Sequence, residues 1–195
     1  VHGSGPSNMD ESMGPNAPFR DLAEGLSRRG VAVLRYDKRT FVCPQFFENA
    51  KEGYTYDDET VDDAISAVRL VKDSLAKEMA IDPSRIYIVG HSMGGMLAPR
   101  IAQRSGEVAG LVLLAAPTGK LLPTIERQLA YLGRSAEEIR KLTEIALADI
   151  PDSYLDLDAR YSDTATAQEL NIPMLILQGE RDYQVTMDDY RTWRE

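Results

Sequence analysis

Four short apolar runs recur along the chain, VAVLRYD (31–37), RIYIVG (85–90), AGLVLLAA (109–116) and PMLILQGE (173–180), each bounded by turn residues. Runs that are nearly continuous instead of alternating suit strands buried on both faces, as in a parallel sheet. Helical patterns lie between them. APFRDLAEGLSRRG sets Phe19, Leu22, Ala23 and Leu26 on one face and stops at Gly30, a residue suited to a helix C-terminus. DDETVDDAISAVRLVKDSLAKE keeps Val61, Ala64, Ile65, Val68 and Leu75 at three- and four-residue spacing, with acids in the first turn where the helix dipole favours them. Alternation of this kind predicts an α/β fold in which crossover helices cover a doubly wound, mostly parallel sheet.

Residues 118–171 depart from the rhythm. LLPTIERQLAYLGRSAEEIRKLTEIALADIP offers two or three helices, and DSYLDLDARYSDTATAQEL reads as a loop with one short helix. The stretch is longer than a simple crossover needs, so it is expected to form a helical lid over the strand ends, with an extended crossover packed on the sheet as the alternative.

The length of 195 residues fits one domain with a buried core. No apolar run approaches the roughly 18 residues of a membrane helix. A formal net charge of −9 opposes binding to nucleic acid or anionic lipid and leaves neutral or cationic small molecules as easier partners. The single cysteine, Cys43, excludes an internal disulfide framework and any multi-cysteine metal site without fixing a compartment, bacterial cytoplasm or exported. VHGSGPSNMDESMGPNAPF lacks the basic start and apolar stretch of a signal peptide, and MDDYRTWRE ends within a helix-like pattern, so both ends read as cuts in a longer sequence.

Gly90-His91-Ser92-Met93-Gly94 follows a strand-like run and opens a helix-like one. In that setting small neighbours permit a strained turn that pushes the serine hydroxyl out as a nucleophile. A phosphate-binding turn is the alternative, but no G-x-G-x-x-G or G-K-[ST] pattern supports it. A carbonyl attacked by Ser92 becomes an oxyanion, and the N–H of Met93 at the helix start is one donor for it. The second is expected from the glycine-rich turn His2-Gly3-Ser4-Gly5-Pro6, through the N–H of Ser4 or alternatively Gly5. Asp182, past the end of LILQGERDYQV, is the candidate acid that would orient an imidazole, with Glu180 as runner-up.

Taken together, HGSGP, VAVLRYDKRT, GHSMGG and LILQGERDYQVT resemble the α/β-hydrolase superfamily, in particular bacterial carboxylesterases of the dienelactone-hydrolase-like branch, over nearly the whole chain and least in 118–171. The resemblance implies a Ser-His-Asp esterase with Ser92 as nucleophile, Asp182 as acid and Met93 and Ser4 at the oxyanion hole, acting on a small-molecule ester with no metal or organic cofactor. Dienelactone hydrolases proper carry cysteine at the nucleophile position, where this chain has Ser92. It further implies an α/β-hydrolase core over 1–195 that is incomplete at both ends, lacking its first strands and its last strand and helix.

Neither histidine suits the role of base. His91 adjoins the nucleophile in a turn that sends neighbouring side chains apart, and His2 belongs to the oxyanion turn. In the family's order Ser, Asp, His the base follows the acid, and the sequence ends thirteen residues after Asp182, so the catalytic histidine is expected beyond Glu195. The resembling fold also has a strand between VAVLRYD and RIYIVG, so another chain segment is expected to complete the sheet. An acyltransferase or thioesterase of the same fold, a peptidase and a non-catalytic ligand-binding domain are the competing readings. Lys38 and Arg39 read as a charged loop end paired with acids, Asp37 as a loop brace, the acids of 57–63 as a helix start with a solvated face, and Cys43 as partly buried. Met9, Phe41, Phe46, Phe47, Tyr131 and Tyr183 are possible substrate contacts.

Overall fold

Three of the four apolar runs become strands: β1 (Tyr87–His91), β2 (Gly110–Leu114) and β3 (Met174–Leu177), hydrogen-bonded in the order β1-β2-β3 and parallel throughout. The computed structural model describes residues 1–48, 50 and 53–195; of Phe46 and Glu48 only the backbone is described, so the substrate contact expected of Phe46 lies outside the described residues. Register places Ile88, Leu111, Leu113, Met174 and Ile176 on one face of the sheet, packed in the main core. α6 (Met93–Ser105) crosses this face between β1 and β2 and buries nine residues, among them Leu97, Ala98 and Ile101. The opposite face carries Tyr87, Val89, Val112, Leu175 and Leu177; there Tyr87 and Leu175 are each 52% exposed and Leu177 49%.

Before β1, α1 (Pro18–Ser27) turns Phe19 and Ala23 inward as its spacing predicts, while Leu22 of the same predicted face is exposed and, with Leu26, lines a groove. Two short helices follow, α2 (Arg39–Val42) and α3 (Pro44–Glu48). The predicted helix over 57–78 forms as one run, α-helical in α4 (Asp62–Leu70) and α5 (Ala76–Glu78) and π-wound at Asp57–Val61 and Val71–Leu75. Its buried stripe includes Val61, Ala64, Ile65 and Val68.

VAVLRYD is the run that does not become a strand. Residues 31–38 are irregular and, among the described residues, are tied by backbone bonds only at their ends, Val31 N to Leu26 O and Lys38 N to Ser7 O. A strand needs a neighbour for its N–H and C=O groups. Here a groove of about 630 Å³, lined by Val31, Val33, Tyr36, Val68, Tyr87 and Val89 among others, separates the segment from β1. Val1 sits where that groove meets β1 and makes the paired bonds of a parallel ladder, donating to Val89 O at 2.6 Å and accepting from His91 N at 3.0 Å.

Four helices occupy 118–171, where two or three and a loop with one short helix were expected: α7 (Leu121–Tyr131), α8 (Ala136–Leu147), α9 (Asp152–Arg160) and α10 (Asp163–Gln168). The difference lies in 152–168, where Ser162 caps α10 and α9 is anchored by buried Tyr154 and by Asp158, which accepts from Tyr56 OH and Leu121 N. α9 packs on the core through Tyr154, Leu157 and, just past its end, Tyr161, and α10 lies against α6, whereas α7 has no fully buried residue and α8 only Thr143. The chain closes with α11 (Met187–Arg194), whose Trp193 donates to Ala116 O.

Candidate active site

The turn from β1 into α6 is made by Ser92 with φ 51° and ψ −121°, a backbone conformation L residues rarely adopt, at a cost on the order of 1–3 kcal/mol. Its own N–H is held by Leu114 O at 2.9 Å, and its carbonyl accepts from Gly95 and Met96. The flanking glycines are needed for close approach. A methyl group at Gly90 would fall on the Gly94 carbonyl, and one at Gly94 on the carbonyls of Val1 and His2. Ser92 is half-buried, and the N–H of Met93, in the first turn of α6, has no carbonyl within the helix to bond.

The turn at 2–5 lies against that serine, since a Cβ on Gly3 would stand 3.2 Å from Ser92 Cβ. Gly3 N–H donates to Glu11 Oε1 at 2.7 Å, and Gly3 O accepts from Lys38 Nζ at 3.0 Å. Gly3 is therefore committed on both sides, while the N–H groups of Ser4 and Gly5, both exposed, have no partner among the described residues. The second Glu11 oxygen lies 2.9 Å from His91 Nδ1. Burial alone would raise the Glu11 carboxyl, but the adjacent His91 ring and the bond from Gly3 outweigh it and hold the group below its usual range. His2 is buried between Phe19 and Tyr36, and burial pushes its imidazole down to about 4.

Asp182 follows β3, two strands from β1 and so about 10 Å across the sheet from the end that carries Ser92. Its Oδ1 accepts from Gln184 N at 2.9 Å and Val185 N at 3.2 Å, and its other oxygen has no partner among the described residues. Glu180 is exposed on the same loop. Next to Asp182, Tyr183 stacks on Tyr131 at the end of α7, with centroids 5.0 Å apart and rings inclined by 14°. Gln128 of α7 donates to Gln184 O. Asp189, 1% exposed, accepts from Thr118 N and Oγ1, Thr186 N and Oγ1, and Arg127, so α11 and α7 are latched to the same corner.

The geometry thus brings Ser92, Met93 and the turn holding Ser4 together and sets Asp182 at the same end of the sheet. It gives neither histidine to Asp182. Two expectations change. Cys43 is exposed, because it sits between two short surface helices, and the 57–63 acids are not all solvated: Glu59 is buried on Lys38, and Asp57 is bound by Arg100 and Arg104. Asp37 does brace its loop, accepting from Met9 N at 2.8 Å. Sequence reasoning missed Glu11, Glu59 and Tyr154; a charged residue directly after an apolar run, as Lys38 is, was the available signal.

A model of the alpha/beta hydrolase family matches residues 1–194. The esterase EstD of Thermotoga maritima is 40% identical over 208 residues, which take in 99% of this chain and 48% of that protein, so the chain spans about half the length of this curated relative. Among solved structures, the Pyrococcus furiosus esterase Pf2001 aligns with all of the chain and 64% of its own at a TM-score of 0.66 and 19% identity. The meta-cleavage product hydrolase of Pseudomonas fluorescens IP01 aligns with 99% of the chain and 75% of its own at a TM-score of 0.56 and 19% identity. At those identities the two structures speak to the fold.

Proposed function

The chain belongs to the α/β hydrolase family, and from that we propose that it carries the nucleophile, oxyanion hole and acid of a serine carboxylesterase acting on small to medium acyl esters. The observation that carries the reading is the strained Ser92 turn between β1 and α6, with an open Met93 N–H on one side and the 2–5 turn on the other. The 40% identity to an esterase supports the same substrate class. In this mechanism Ser92 Oγ attacks the ester carbonyl while a histidine takes its proton, and the N–H groups of Met93 and Ser4 receive the oxyanion. The alcohol leaves with the proton returned by the histidine, and water then releases the carboxylic acid from the acyl-serine. Asp182, through its unpartnered carboxylate oxygen, orients the histidine, which this reading draws from beyond Glu195 since His91 is engaged by Glu11 and His2 is buried among aromatic rings.

Two structural proposals accompany it. The α7–α8 hairpin serves as a lid, supported by the Tyr131–Tyr183 stack beside Asp182 and by its sparse burial. A further extended segment fills the groove between 31–36 and β1, supported by the ladder bonds that Val1 makes at its end.

The test is pre-steady-state hydrolysis of p-nitrophenyl butyrate by the intact protein. A burst of nitrophenol stoichiometric with enzyme is expected, and Ser92→Ala is expected to abolish it, lowering turnover by about a thousandfold or more. A Ser92→Ala protein that turns over like the wild type would overturn the reading.

A further inference from the structure

Lys38 is 2% exposed, and its ammonium has three acceptors for its three N–H donors: Gly3 O at 3.0 Å, Gly5 O at 3.2 Å and Glu59 Oε1 at 2.5 Å. Removing an ammonium from water is expensive unless every donor is used, and here each is used on the 2–5 turn or on the carboxylate that neutralises the charge. The second Glu59 oxygen accepts from Tyr154 OH at 2.8 Å, and that hydroxyl also lies 3.5 Å from Met93 Sδ. One buried cluster therefore touches both residues flanking the proposed oxyanion site, Gly3 on one side and Met93 on the other.

A trans peptide is planar, with its C=O and N–H pointing in opposite directions. The carbonyl of Gly3 and the N–H of Ser4 belong to one peptide. With the oxygen fixed on the Lys38 ammonium, the Ser4 N–H must point the other way, out of the buried cluster. The Glu11 bond to Gly3 N fixes the preceding peptide in the same manner, so the Ser4 donor cannot rotate away without breaking a buried charge contact. A positive charge bonded to the carbonyl also polarises that peptide and strengthens its N–H as a donor.

We propose that Lys38, neutralised by Glu59, is a positioning residue that aims the Ser4 N–H at the oxyanion formed on Ser92. The proposal rests on the serine-esterase reading above and selects Ser4 over Gly5 within it. Lys38 does not touch the reacting atoms; it acts through the Gly3–Ser4 peptide.

The experiment compares the intact protein with Lys38→Met and with Lys38→Met/Glu59→Gln, the double variant removing both charges so that no unpaired carboxylate is left inside. In whichever variant retains a cooperative unfolding transition, the burst rate with p-nitrophenyl butyrate is expected to fall on the order of a hundredfold, as for a misplaced catalytic donor. Affinity for the unreactive butyl ether of nitrophenol should stay within about threefold, because a ground-state ligand makes no oxyanion. Affinity for a trifluoromethyl ketone, whose adduct does make one, should fall with the rate. Amide exchange at Gly3 and at position 38 should rise about tenfold, reporting the loosened turn without reference to activity. A burst rate unchanged in a folded variant, equal losses for ether and ketone, or unchanged exchange would each overturn the proposal. Failure of the serine-esterase reading shows separately, as a Ser92→Ala protein that still bursts, and the exchange arm then decides whether Lys38 anchors the turn.

Discussion

At position 92 a side chain is carried by a backbone that suits glycine, so the hydroxyl that the proposed attack would use is retained against local stability. Ser92→Gly is therefore expected to be inactive yet more stable than Ser92→Ala by about 1 kcal/mol, measured by urea denaturation of the two variants side by side. His2 makes a second prediction at this scale. Its folded value, pushed by burial to about 4, lies below the ordinary 6.5, so between those values the unfolded chain binds a proton that the folded one does not. Stability is then fully present above pH 6.5 and is lost as pH falls toward 4. Denaturation at pH 7.5 and pH 5 should differ by about 2 kcal/mol from this residue, and His2→Phe, which keeps a ring between Phe19 and Tyr36, should remove that part of the difference.

Among elements, the β1–α6 unit was legible because its demands are local: small residues flank the turn, and an apolar run and a helical stripe adjoin it. The Asp189 latch was not, since it joins Thr118, Arg127 and Thr186 across the fold, and no spacing in the sequence records that meeting. Asp189→Ala leaves those donors without an acceptor and is expected to cost about 1–3 kcal/mol in thermal unfolding, with faster protease cleavage in 118–131 as α7 comes loose. The same limit hid the Lys38 cluster: Lys38 and Glu59 are 21 residues apart and Glu59 and Tyr154 are 95, so the pairing exists only in three dimensions. Residues 152–168 are illegible in the sequence for a related reason, as α9 is anchored by buried Tyr154 and by the bonds Asp158 accepts from the distant Tyr56 and Leu121.

Over the whole molecule, the fold class followed from alternating runs and stripes, but apolar content alone could not tell VAVLRYD from a paired strand. Pairing depends on what stands beside it, and here that is the groove. If a further segment fills the groove, backbone amides of 32–36 in the intact protein should exchange at least about a hundredfold more slowly than an open loop, as ladder amides do; loop-like exchange by mass spectrometry would exclude a strand there. The second sheet face has a practical consequence. Tyr87 on β1 and Leu175 and Leu177 on β3 form an oily face, and β3 is an edge strand among the described residues, so copies of residues 1–195 produced on their own would adhere to one another. Work on that stretch in isolation calls for a solubilising fusion partner and dilute handling.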